Sequence, residues 1–254
     1  MKTEIFNFDR FKILLNRQIT LNLKTWLIAI GSLGGLLIFI SYMMMISGNH
    51  EGIMSMYSTF GVVAFFITGL VFTSLSFSEM GTYTKSLQYI TLPASRFEKF
   101  FTAWFSSSIL YVILSILSLV LFSILSSLID VAFFDGTFAV FNPFVKGFGE
   151  IIIGYFVAHS VYFIGSVWFT KGAFFKTMLT GFIAQTLANF WMLIWGVIIF
   201  KPHVMNNFND EKFKLFAISI DQNGNVEKMV IGFFCLIACI LLYASWERFK
   251  EREV

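Results

Sequence analysis

Six stretches of this chain, Trp26 to Ser47, Met54 to Phe77, Phe101 to Ile129, Ile151 to Phe169, Thr177 to Phe200 and Met229 to Trp246, contain no Asp, Glu, Lys or Arg. At 18 to 29 residues, each is long enough to carry an α-helix across a ~30 Å hydrocarbon layer. Water is absent there, so the backbone must satisfy its own hydrogen bonds, and a lone strand cannot do so. The runs lack the short alternating pattern of an outer-membrane barrel, which leaves helices. Composition agrees: 57% of the 254 residues are hydrophobic and 13% are charged, and the mean hydropathy is +0.78, outside the range of soluble domains of this size. The expected fold is an all-α polytopic membrane protein with six transmembrane helices.

An even number of spans puts both termini on one side. Lys2, Arg10, Lys12, Arg17 and Lys24 precede the first span, Lys85, Arg96 and Lys99 lie between the second and third, Lys171 and Lys176 between the fourth and fifth, and Arg248, Lys250 and Arg252 after the sixth. The other side keeps only Lys146, Lys201, Lys212, Lys214 and Lys228. The positive-inside rule therefore places both termini in the cytoplasm. The long segment from Lys201 to Lys228 is then external, with Asn223 to Asn225 as its turn signal.

Residues 1–25 form a polar head in which Phe8, Phe11, Leu14, Leu15, Gln18 and Ile19 fall near helical spacing, with Asp9, Arg10, Lys12, Asn16 and Arg17 mostly elsewhere on the wheel. This predicts an N-terminal amphipathic helix on the cytoplasmic leaflet; an ordinary basic flank is the plainer alternative. Residues 26–246 make up the transmembrane domain and 247–254 a cytoplasmic tail.

The dipeptide Gly-Lys occurs nowhere, so there is no P-loop, and ATP-driven work would fall to another polypeptide. His50, His159 and His203 are far apart, and Cys235 and Cys239 have no histidine or carboxylate close in sequence, so no metal site, cofactor or enzymatic activity is expected. The cysteines read as small packing residues. His159, central in the fourth span, lines a substrate path or hydrogen-bonds to a neighbouring helix. Gly31 and Gly35, Gly154 and Ala158, and Thr180, Ala184 and Ala188 have the spacing of close helix approaches. The serines of the third span, including Ser115, Ser118, Ser123 and Ser127, bond back to their own carbonyls or hydrate a pathway, the first being expected for most of them.

The polar interval Leu92-Pro93-Ala94-Ser95-Arg96-Phe97-Glu98-Lys99-Phe100 separates the second and third spans. Pro93 suits a first helical turn, and Arg96, Glu98 and Lys99 supply charge for a soluble surface. The interval resembles the "LP-x-SR-x-E" segment of permease subunits of ABC-2-type transporters, and the six spans, amphipathic head and long last external segment extend the likeness to nearly the whole chain. The resemblance implies that Leu92, Pro93, Ser95, Arg96, Glu98 and Lys99 belong to a coupling helix docking on a separate ATPase subunit. It further implies an exporter in the bacterial cytoplasmic (inner) membrane, whose partners are that ATPase, a second permease copy or paralogue, and membrane lipids, with no nucleic acid. A non-transporting membrane scaffold or anchor is the alternative; a helix start with solvated charges is the plainer reading of the segment.

Overall fold

The computed structural model describes residues 6–144, 147–169, 171–204 and 225–252. Among them every regular element is helical: α1 (Phe8–Ile46), α2 (Gly52–Ser74), α3 (Tyr83–Ile90), α4 (Arg96–Phe133), α5 (Phe148–Trp168), α6 (Ala173–Val204) and α7 (Asn225–Arg252). All but α3 are long and apolar enough to cross a membrane, as the charge-free windows require.

The head and first span are one helix. Asn7 caps α1, its side-chain oxygen accepting from Asp9 N and Arg10 N at 2.9 and 3.4 Å. The helix then runs through 39 residues, about 58 Å at 1.5 Å per residue. Gly48 stops it: at φ +74° it turns the chain so that its own N–H reaches Met45 O while Asn49 N reaches Met44 O, each at 3.0 Å.

Helix α1 packs along α4, and α5 packs on α2, α6 and α7. Two spans contain a widened π turn, Tyr57–Gly61 in α2 and Ser106–Leu110 in α4. The apolar core falls into three clusters: one around Leu37, Tyr57, Leu119 and Phe148, one at mid-depth around Phe65, Tyr111 and Tyr155, and one at the basic end around Phe77, Phe163 and Phe249.

Within the chain, close helix approaches fall at glycines other than Gly31 and Gly35. Gly31 and Gly35 have open space beside them, and a side chain at Gly154 would meet only Phe66 in ordinary contact. The tight sites are Gly34 against the Phe122 ring, Gly69 against Tyr155 and Tyr111, and Gly165 against Thr177. Cys235 and Cys239 are exposed on α7 and so are not packed in the core.

At the end away from the basic clusters, the segment after α4 folds back on it. Phe134 N and Gly136 N donate to Asp130 O, Phe141 N donates to Ser123 Oγ at 3.1 Å, and Ser127 bonds both polar backbone atoms of Ala139. Ser118 and Ser123 bond back to their own helix as expected, whereas Ser127 serves this loop. His50 Nδ1 lies 2.7 Å from the buried Asp130 carboxylate and ties the first loop to the same place. Of the expected external segment, residues 205–224 lie outside the described residues, including most of the Asn223 to Asn225 turn.

Candidate functional site: the junction at the basic end

The interval between α2 and α4 is a folded junction. After α2 a 3-10 turn (Ser78–Gly81) leads into the surface helix α3, then a bend at Leu92 to Ala94, then α4. Pro93 is not in a helical turn, as sequence spacing had it: the N-cap is Ser95, and α4 begins at Arg96. Ser95 and Glu98 form a reciprocal capping box in which Glu98 N donates to Ser95 Oγ (3.1 Å) and Ser95 N to Glu98 Oε2 (2.8 Å).

Two of the three charges of this segment, Glu98 and Lys99, point inward. Glu98 is fully buried, and its second oxygen accepts from Asn7 N at 2.6 Å and pairs with Arg10 at 3.1 Å. One carboxylate therefore holds the start of α4 and the start of α1, elements 91 residues apart at Asn7. Lys99 is buried too; its Nζ donates to Ile90 O at 3.0 Å and sits over the Tyr89 ring. A cation on the last carbonyl of α3 completes that helix end and complements its dipole. A further pair, Arg17–Glu79 at 3.1 Å, binds α1 to the 3-10 turn. The expectation that Glu98 and Lys99 meet a soluble surface is corrected on these grounds: their partners lie within the chain.

Aromatic packing fills the space around the ion pairs. Phe11 touches Phe101 and Phe105, with ring centroids at 5.4 and 5.7 Å. Phe100 meets Phe163, Trp246 and Phe249, which brings in α5 and α7. Leu92, half-buried, packs on this Phe77–Phe163–Phe249 cluster rather than standing free. The tail is helical through Arg252, whose Nη2 donates to Trp168 O at 2.7 Å. Head, junction, tail and the end of α5 thus share one end of the molecule, as an even number of spans demands.

What faces outward is a different set. On α3, Tyr83 is 81%, Leu87 46% and Ile90 37% exposed, an i, i+4, i+7 stripe, with Lys85, Pro93, Arg96 and Phe97 exposed beside it. Sequence reading passed over α3 because eight residues are too few to show a periodicity.

His159 stands deeper on the same helix pair. It is buried, stacks on Phe163 at 5.4 Å and has Nε2 2.9 Å from Ser107 Oγ. Ser107 Oγ also lies 2.9 Å from Ala103 O, so the hydroxyl bridges the imidazole and its own helix. Tyr155 O–H donates to Ser107 O within the π turn at 2.9 Å. Of the two sequence readings, these contacts describe the hydrogen bond to a neighbouring helix. No group of three or more metal-ligating side chains occurs among the described residues. Comparison with protein-family models, curated proteins and solved structures finds no match.

Proposed function

We propose that this chain is the membrane-spanning subunit of an ATP-driven exporter of the ABC-2 type, with both termini in the cytoplasm of a bacterial cell and ATP hydrolysis supplied by a separate subunit. The observation that carries the reading is the junction: a short surface helix with an outward apolar stripe and basic neighbours, clamped through Lys99, Leu92 and Tyr89 to the spans. A push on α3 passes into α4 across the short bend at Leu92 to Ala94, which the Lys99 bond to Ile90 O bridges, as coupling to a soluble motor requires. The docking residues are then Tyr83, Leu87, Ile90, Pro93 and Arg96, while Ser95, Glu98 and Lys99 hold the helix in place.

A second observation favours a paired assembly. Helix α6 carries Gln185 and Asn189, both exposed in the middle of an apolar span and bonded only to each other at 3.2 Å among the described residues. Amides facing hydrocarbon are costly, and a helix of a second copy or paralogue would satisfy them.

Leu87→Asp tests the reading. An exposed position leaves the fold intact, so the inserted protein should lose its co-purifying ATPase by roughly tenfold, as truncating an interface anchor does, and lose export with it. Leu92→Asp is unsuitable because Leu92 is packed. An ATPase that co-purifies but drives no export would make the chain an anchor, and undiminished binding by the Leu87→Asp protein would remove α3 as the docking element.

A further inference from the structure

A cleft of about 60 Å³ lies between α1 and α2, backed by α4. Its walls include Leu33 and Leu37 from α1, Ala64 and Phe65 from α2, and Leu114 and Leu119 from α4. Leu36 and Phe39 on α1 and Phe60, Val63 and Ile67 on α2 are exposed along its flanks, so the mouth opens sideways into hydrocarbon. Toward the basic end the cleft is bordered by an edge-on Trp26–Phe72 pair, centroids 5.2 Å apart at 74°.

Beyond that pair lies a polar pocket of about 10 Å³, lined by Gln18, Asn22, Ser76, Ser106 and Ser107 and, from the cleft side, by the same Trp26 and Phe72. None of its lining residues is ionisable. Trp26 is 93% buried by its 7% exposure, yet its indole N–H has no hydrogen-bond partner. A buried donor without an acceptor calls for one. Asn22 donates its amide to Gln18 O at 2.9 Å, which leaves the amide oxygen free to accept from a hydroxyl.

We propose that this cleft binds the chain of an uncharged amphipathic lipid, drawn sideways from the bilayer, whose polar oxygen takes the Trp26 N–H. The axial distance from Trp26 to Leu37 is about 16 Å, and a volume of about 60 Å³ seats roughly four to six water-sized groups, so a short stretch of the chain lies in the cleft and the remainder in the bilayer. The pocket volume suits a single hydroxyl or carbonyl oxygen, about one water in size. Lys24, the nearest cation on α1, is exposed and lies about 200° round the helix from Trp26 and Asn22, and Arg17 is paired with Glu79, so neither cation is set to recruit a charged head. As the first station of an exported substrate, the site rests on the exporter reading; binding itself does not, so binding is what should be measured.

The probe is tetradecanol bearing a mid-chain diazirine, photolysed with the full chain in phosphatidylcholine nanodiscs, the adducts being mapped by mass spectrometry. Labelling should concentrate at Leu33 and Leu114 and be competed by unlabelled tetradecanol but not by tetradecanoate. Trp26→Phe, which keeps the ring against Phe72, should weaken tetradecanol competition roughly fivefold, the worth of one hydrogen bond, and leave labelling by the matching diazirine alkane unchanged. Ala29→Phe should block the cleft to both probes; if that protein fails to fold, Ala64→Leu fills the same space from the facing wall. Labelling spread over α6 and α7, competition by tetradecanoate equal to that by the alcohol, indifference to Trp26→Phe, or cross-links from the cleft to a second copy would each overturn the proposal.

Discussion

Replacing Glu98 with alanine attacks the clamp between the first helix and the junction. Two backbone N–H groups, of Asn7 and Ser95, donate to its carboxylate at 2.6 and 2.8 Å, and hydrogen bonds to a charged group contribute about 1.5–3 kcal/mol each. Arg10 is 38% exposed, so its pairing is screened and adds about 1 kcal/mol or less. The expected loss is thus about 4 kcal/mol, near the usual cost of breaking a buried ion pair from one side. Glu98→Gln keeps one acceptor oxygen and should lose roughly half as much. The assay is thermal unfolding in detergent with hydrogen exchange followed over residues 8–24 and 96–105. Both segments should exchange faster in Glu98→Ala, and Arg10→Ala should cause little further loss in that background. Wild-type unfolding and unchanged exchange in α1 would refute the clamp.

Gly34→Ala should destabilise by about 1–3 kcal/mol because its new methyl meets the Phe122 ring, while Gly31→Ala, in open space, should stabilise by up to about 1 kcal/mol; unfolding midpoints of the pair decide it. His159→Phe should cost about 1 kcal/mol and leave export unchanged, since Ser107 keeps its bond to Ala103 O; a selective loss of export with normal abundance would return His159 to a substrate path. Ser127→Ala should free the Ala139 segment, read as faster exchange at residues 137–142, at a cost of about 1–2 kcal/mol. A reporter fused after Val254 should read cytoplasmic and one inserted near Asn223 external; opposite readings would invert the topology.

The spans were legible because lipid imposes one demand, a charge-free window of sufficient length, that local sequence displays directly. The Ser95-x-x-Glu98 spacing of a capping box stood in the sequence and was missed, because Pro93 drew attention to the wrong helix start. The pairing of Glu98 with Arg10 had no local signal, because it joins residues that only packing brings together. Asp130 sits just past the last apolar residue of its run, where a charge reads as solvated; its burial depends on His50 and on the loop that folds back over it. Small-residue spacing marked Gly31 and Gly35, yet Gly34 faces the neighbour, since spacing fixes which residues share a face but not which way the face turns. The continuity of α1 had a negative sign in the sequence, the lack of any proline before Pro93.

That continuity makes α1 a beam with a fulcrum. Trp26, set edge-on against Phe72, divides it into an arm of about 24 Å reaching back to Arg10 and one of about 30 Å reaching on to Ile46. Were the unbroken helix to pivot at Trp26, a lateral displacement of the Arg10 end would reappear beyond it reversed in direction and, at Ile46, enlarged by about one quarter. Leu33 and Leu37 ride on the longer arm, so the width of the gap they border is geared to the position of a residue on the opposite side of the fulcrum.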